Sequence, residues 1–108
     1  MTYRIETTAQ AEADIERIYA WLSGRSVAGA NRWYGSFSQA VERLNTNPLA
    51  CALARENNDF AQEIRNLLFG TPRGRIYRAL FIIEGDCVRV LAVRGPGEKA
   101  VKPTDVEI

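Results

Sequence analysis

The spacing of the hydrophobic residues changes from alternation to a helical repeat within the first dozen residues. Residues 3–7 alternate apolar and polar side chains, which predicts a short strand with one apolar face. From Ala11 onward the apolar positions recur at i, i+4, i+7 and i+8, which indicates a helix that ends near Ser23, before Gly24. Thr7 and Gln10 have the spacing of a capping box at the start of this helix.

A second helical repeat runs from about Val27 to Asn45. Ser26 is placed to cap its start, and the polar residues that lead to Pro48 are expected to end it. Two amphipathic helices with a short connection predict an antiparallel hairpin. The aromatic residues of this region are expected in the core and between the helices, rather than in a ligand cage: Tyr19, Trp21, Trp33, Tyr34 and Phe37.

The second half of the chain favours strands. Residues 46–60 are predicted to form a loop with a short helical turn around 50–55. Three strands are predicted beyond it: 61–69, 75–84 and 87–94. Residues 95–108 lose periodicity and are expected to form a loop and an irregular tail. The sequence therefore predicts one α+β domain over residues 1–108, with an N-terminal strand, a two-helix hairpin packed on one sheet face and a three-stranded antiparallel meander.

A two-residue turn at Gly85-Asp86 would set the pairing of the last two strands. Residue 84 then pairs with residue 87, which places Phe81 opposite Val90 and Arg78 opposite Val93. One face of this pair is almost wholly apolar: Tyr77, Ala79, Phe81, Ile83, Val88, Val90 and Ala92. The other mixes arginine with aliphatic side chains: Ile76, Arg78, Leu80, Ile82, Arg89, Leu91 and Val93. The mixed face is therefore a candidate binding surface.

Composition excludes several classes of site. The 108 residues carry a net charge of +1 and contain no histidine, which removes Ser-His-Asp, Cys-His and His-bearing zinc sites. Cys51 and Cys87 have no metal-ligand spacing, and two isolated thiols favour a reducing compartment. No signal peptide and no run of 18 apolar residues is visible. We expect a cytoplasmic protein with no metal, no cofactor and no membrane contact.

Arginine is concentrated in the strand region. Twelve of the 14 basic residues are arginine, and residues 61–94 hold six of them against three acidic residues. These six are the candidate site residues: Arg65, Arg73, Arg75, Arg78, Arg89 and Arg94. A guanidinium group pairs with carboxylate or phosphate in a planar fork, whereas an ammonium group does not. Two interpretations remain open, a salt-bridged solvated surface and a binding site.

The same region carries a family resemblance. Its motifs are Glu-Ile-Arg-x-Leu at 63–67, Tyr-Arg-Ala-Leu-Phe at 77–81 and Gly-Asp-x-Val-x-Val-Leu-Ala-Val at 85–93. In this order, after a helical hairpin, they make the chain similar to the RelE/ParE superfamily of bacterial toxins. The resemblance implies the toxin of a type II toxin–antitoxin module of the plasmid-stabilization kind, which a cognate antitoxin neutralises in the cytoplasm.

The superfamily has two branches with different requirements. A RelE-like toxin is a metal-independent endoribonuclease that cuts mRNA on the ribosome, and the resemblance would give Arg65 and Arg78 catalytic roles. Glu63, however, stands where a basic residue is expected, and no tyrosine follows Tyr77. The ParE branch binds DNA gyrase and needs no catalytic residues, and the chain resembles it more closely. All six arginines are then expected to bind the target or the antitoxin.

Overall fold

Two helices pack against one face of a four-stranded sheet in the computed structural model, which describes residues 2–108. The elements in chain order are β1 (Arg4–Thr7), α1 (Ala9–Ser23), α2 (Val27–Leu44), β2 (Arg65–Phe69), β3 (Tyr77–Glu84) and β4 (Cys87–Arg94). The strand order is β1-β4-β3-β2, and β1 runs parallel to β4 while the other neighbours are antiparallel. The predicted α+β class is confirmed, and β1 extends the meander into a mixed sheet.

Side-chain caps define where the two helices begin. Thr8, not Thr7, caps α1, because its hydroxyl accepts the Ala11 N–H at 3.2 Å. The same hydroxyl donates to the Leu91 carbonyl at 3.1 Å, so the cap also joins α1 to β4. The predicted cap at Ser26 is confirmed, since its hydroxyl accepts the Gly29 N–H at 3.0 Å.

The main core lies between the helices and the sheet. An aromatic group fills its centre, and neighbouring rings lie 5.2 to 6.4 Å apart between centroids: Trp33, Phe37, Phe69 and Tyr77. The prediction that the helical aromatics are core residues holds for Trp33 and Phe37. Tyr19 and Tyr34 meet edge to face between the two helices, with ring centroids 6.4 Å apart, as also predicted. The prediction is wrong for Trp21, whose side chain is exposed.

A β-bulge changes the register predicted for β3 and β4. Phe81 pairs with Val90 as predicted, but Leu80 pairs with Ala92, which leaves one extra residue in β4. Arg78 consequently pairs with Arg94 and not with Val93. Ala92 and Val93 exchange faces for the same reason, so Val93 joins the main core and Ala92 lies on the opposite side of the sheet.

That opposite face is covered by the chain itself. Its aliphatic residues are fully buried: Leu80, Ile82, Leu91 and Ala92. They pack against residues of the loop before β2 and of the C-terminal tail: Ala54, Ile64 and Val101, with Phe60 and Val106 at the margin. The aliphatic part of this candidate binding surface is therefore not available to a partner. The tail is irregular as predicted, apart from a 3-10 turn at Pro103–Asp105, yet it contributes to this second core.

The covering loop also shortens β2. The predicted helical turn at 50–55 is wrong, and two 3-10 turns lie instead at Pro48–Ala50 and Asn57–Asp59. The Asn57 side-chain oxygen accepts the Ile64 N–H at 2.8 Å, while the Ile64 carbonyl accepts the Ala54 N–H at 2.7 Å. Residues 61–64 are thus held against the loop, and β2 begins only at Arg65. Neither helix in residues 2–108 has the length and apolar character needed to cross a membrane.

Candidate functional site

The structure divides the six predicted arginines into two groups. Arg65, Arg78, Arg89 and Arg94 are partly buried and form ion pairs. Arg73 and Arg75 are exposed on the connection between β2 and β3, and neither has an ion pair within residues 2–108. The six therefore do not form one patch.

Arg78 is held by a buried acid from the covering loop. Its Nη1 donates to Glu56 Oε1 at 2.7 Å and its Nη2 to Glu56 Oε2 at 2.5 Å, while Asn66 accepts a third bond at 3.1 Å. Glu56 is 1% exposed, and its Oε2 also accepts the Val101 N–H at 2.9 Å. Burial alone would raise the pKa of Glu56, but the bonds from Arg78 and Val101 outweigh it and lower that pKa. This pair fastens both the loop and the tail to the sheet.

Arg94 has an equivalent partner on the helical side. Its Nη1 donates to Asp14 Oδ2 at 2.8 Å, and the same oxygen accepts the Val93 N–H at 2.9 Å. Gln10 donates to the other oxygen at 2.9 Å. Asp14 is 3% exposed, so its carboxylate depends on these donors and fixes α1 against the end of β4.

Arg65 and Arg89 make weaker or more exposed contacts. Arg65 donates to the Cys51 carbonyl at 2.7 Å and lies 3.4 Å from the exposed carboxylate of Glu63. Arg89 lies 2.9 Å from Glu84 and 3.5 Å from Glu6. Both arginines therefore tie neighbouring segments together at the surface.

The two free arginines belong to a tight turn. Arg73 has a φ of 64°, in the left-handed region that side chains other than glycine rarely adopt, and the Gly74 N–H donates to the Thr71 carbonyl at 2.8 Å. Arg75 follows this turn, and its side chain faces an open groove. The turn thus presents one arginine to solvent and one to the groove.

The groove occupies about 820 Å³ between the hairpin end of the helices, this turn and the loop after β4. Four arginines line it: Arg17, Arg25, Arg32 and Arg75. The acidic residue in its lining is Glu98. We call it the Trp21 groove, since Trp21 also lines it and is 59% exposed. The guanidinium of Arg25 lies 5.0 Å from the centroid of the Trp21 ring, a cation–π contact.

Contacts below the groove hold the loop after β4 in place. Arg17 donates to Glu98 at 2.7 Å, and the other oxygen of Glu98 accepts the Gly95 N–H. Gly95 lies against the Tyr77 ring, where a Cβ would come within 2.9 Å of a ring carbon. Burial and, to a smaller extent, the Glu98 charge raise the pKa of the Tyr77 hydroxyl. That hydroxyl is therefore neutral at physiological pH.

This arrangement can bind anions and planar groups, and the carboxylate that lines it, Glu98, is already bonded to Arg17 and to the Gly95 N–H. A guanidinium stays protonated, Tyr77 stays neutral and the chain has no histidine. Of the residues that line the groove, only Arg75 was among the candidate site residues predicted from the sequence. Trp21 could have been found as an aromatic residue that falls outside the apolar face of α1, but its neighbours across the groove come from distant segments.

The hairpin packed on a mixed sheet defines a small α+β protein, and four arginines line the groove at the end of its hairpin. Residues 5–99 match the family described as the ParE toxin of type II toxin–antitoxin systems. This match covers most of the chain, which therefore belongs to the ParE toxin family, as the resemblance implied. Membership gives it a toxin role and implies a cognate antitoxin as partner. A comparison with curated proteins returns no match.

Proposed function

We propose that the protein is a plasmid-stabilizing toxin that acts in the cytoplasm by binding DNA gyrase and that its cognate antitoxin neutralises it by direct contact. The proposal rests first on membership of the ParE toxin family. It also agrees with a site whose chemistry is suited to binding rather than to bond cleavage.

The observation that carries the choice between gyrase and mRNA is the Arg78–Glu56 pair. A RelE-like ribonuclease would use Arg65 and Arg78 on the scissile phosphate, together with groups that accept and donate protons. Here both nitrogens at the end of Arg78 are bound to Glu56, and Arg65 donates to the Cys51 carbonyl. An mRNA phosphate at Arg78 would meet the Glu56 carboxylate, which disfavours the ribonuclease.

We place the antitoxin contact on the exposed arginines of the β2–β3 connection. Arg73 and Arg75 have no acidic partner within residues 2–108, so an acidic antitoxin segment would supply one. Opposite charges of this kind speed association more than they add affinity. In this proposal the other four candidate arginines keep their present partners inside the protein and stabilise the fold instead of contacting the antitoxin.

A supercoiling assay with purified gyrase tests the proposal. We expect the protein to block supercoiling of relaxed plasmid, and the cognate antitoxin to restore it. Relaxation of the supercoiled form of the same plasmid by a type I topoisomerase is the control, since a protein that merely coats DNA would inhibit both enzymes. Unimpeded gyrase together with codon-linked cleavage of mRNA on translating ribosomes would overturn the proposal in favour of the ribonuclease.

A further inference from the structure

The Trp21 groove has two features that gyrase or antitoxin binding does not require together. One is an indole ring that is 59% exposed although Arg25 already lies over it at 5.0 Å. The other is a pair of exposed guanidinium groups, Arg32 and Arg75, that have no ion pair within residues 2–108. An exposed tryptophan is costly to leave in water, and free arginines at its side attract an anion.

The two features select a particular ligand chemistry. An aromatic base stacks on an open indole, and a cation on the same ring strengthens such a platform. A guanidinium group binds a phosphate through two parallel hydrogen bonds. Carboxylates of an acidic peptide would satisfy the arginines alone and leave the indole without a planar partner. A ligand that carries both bases and phosphates matches both features.

We propose that the Trp21 groove binds a single-stranded nucleic acid, with a base stacked on Trp21 and neighbouring phosphates paired with Arg32 and Arg75. The volume of about 820 Å³ lies within the range of about 300–1,000 Å³ that is usual for small-ligand sites. Arg17 is bound to Glu98 at 2.7 Å and shapes the wall of the groove. The site is separate from the Arg78–Glu56 pair, whose residues do not line the groove.

Intrinsic fluorescence of the full-length protein gives a direct test. The chain has two tryptophans, and both line the groove, but Trp33 is only 3% exposed whereas Trp21 is 59% exposed. Quenching that disappears in Trp21→Ala therefore reports on Trp21. The probes are an octathymidylate, an octauridylate, an abasic octamer with the same phosphates, ATP and a polyglutamate peptide. We expect quenching by both oligonucleotides, and affinity at least about fivefold weaker for the abasic strand, which cannot stack. If ATP quenches the fluorescence and the octamers bind no more tightly than ATP, the ligand that supplies the base and the phosphates is a free nucleotide.

Variants separate stacking from charge, with binding followed by the anisotropy of a labelled octamer. Trp21→Ala should abolish the difference between the normal and abasic strands, and Leu49→Ala, an equally exposed truncation outside the groove, should not. Arg32→Gln should weaken both strands and reduce the slope of log affinity against log salt by about 0.7. Arg55→Gln removes the same charge from an exposed site outside the groove and should leave the slope unchanged. Arg32 is chosen because Arg75 also belongs to the proposed antitoxin contact.

Three results would overturn the assignment, provided that thermal melts show folded variants. The first is the absence of quenching by every nucleic acid probe. The second is equal binding of the normal and abasic strands, which reduces the contact to bulk charge. The third is tighter binding of polyglutamate than of the octamers with the same loss on Arg32→Gln, which would make the groove a site for acidic protein segments. Gyrase inhibition is read separately, so failure here leaves the proposed function standing.

Discussion

The Arg78 guanidinium donates two hydrogen bonds, of 2.7 and 2.5 Å, to the Glu56 carboxylate on the sheet face opposite the helices. The Glu56 side chain is 1% exposed and the Arg78 side chain 16% exposed. Because Glu56 also accepts the Val101 N–H, one carboxylate connects the loop before β2, strand β3 and the C-terminal tail. One of the two arginines to which the family resemblance would give a catalytic role thus has a structural partner inside the protein.

Removing either member of this pair should destabilise the fold. We expect Glu56→Gln to lower the free energy of unfolding by about 3 kcal/mol, because it leaves the Arg78 charge without its acid. Arg78→Gln should cost a similar amount, and the double variant less than the sum of the two. Urea unfolding of the four proteins measures the coupling. Additive losses would show that the two side chains act independently. Arg78→Glu should be worse than either, since it places two carboxylates together.

The same pair makes stability depend on pH. The pKa of Glu56 is lowered in the folded protein, so its contribution is present above the unfolded pKa, near 4.5, and is lost as pH falls through the folded value. At pH values below about 4.5, we expect the melting temperature to decrease as the pH is lowered. The melting temperature of Glu56→Gln should decrease less over the same range. Melts at a series of pH values measure this. Parallel profiles for the two proteins would assign the acid sensitivity to other carboxylates.

On the helical side of the sheet, Asp14 should contribute to the stability of the fold as Glu56 does on the opposite side. Asp14→Asn keeps the shape of the side chain but removes the charge that faces Arg94 and replaces one acceptor oxygen with a donor. We expect a loss of about 2–3 kcal/mol in unfolding free energy, in the range for hydrogen bonds to charged groups. Glu16→Gln, an exposed change on the same helix, is the control and should have little effect. Equal stabilities of the two variants would contradict the role assigned to Asp14.

Local patterns predicted the elements better than the contacts between them. The bounds of β4 and the Ser26 cap follow from the alternation of side chains and from one hydroxyl at a helix start. The bulge does not follow, because Leu91, Ala92 and Val93 are all apolar and alternation cannot show which of them is the extra residue. The exchange of faces at the end of β4 is therefore visible only in three dimensions.

The candidate site was harder to predict for a related reason. Glu56 lies in a polar stretch that is typical of an exposed loop, and only its partner 22 residues away explains its burial. In the sequence the arginines of residues 61–94 look like one cluster. In the fold four of them form ion pairs, and two have no ion pair within residues 2–108. The groove around Trp21 combines three separate segments, so no motif of adjacent residues marks it.

The proposed antitoxin contact gives a prediction about rates. The double variant Arg73→Glu, Arg75→Glu should slow association with the cognate antitoxin at least about tenfold, because both free charges are reversed at an exposed turn. The effect should shrink as salt is raised. Surface plasmon resonance measures it, with Arg43→Glu, Arg55→Glu as a control of equal charge elsewhere. If the two double variants slow association equally, net charge rather than this turn governs encounter.

The C-terminal tail should matter for stability because it completes the second core. Deleting residues 101–108 removes Val101, which is 2% exposed, and uncovers aliphatic residues of β3 and β4 such as Leu80 and Leu91. It also removes one of the hydrogen bonds to Glu56. We expect a lower melting temperature and increased binding of a dye specific for apolar surface. Deleting only residues 107–108, both of them exposed, is the matched control. A full truncation that melts and binds dye like this control would show that the loop before β2 covers the face without the tail.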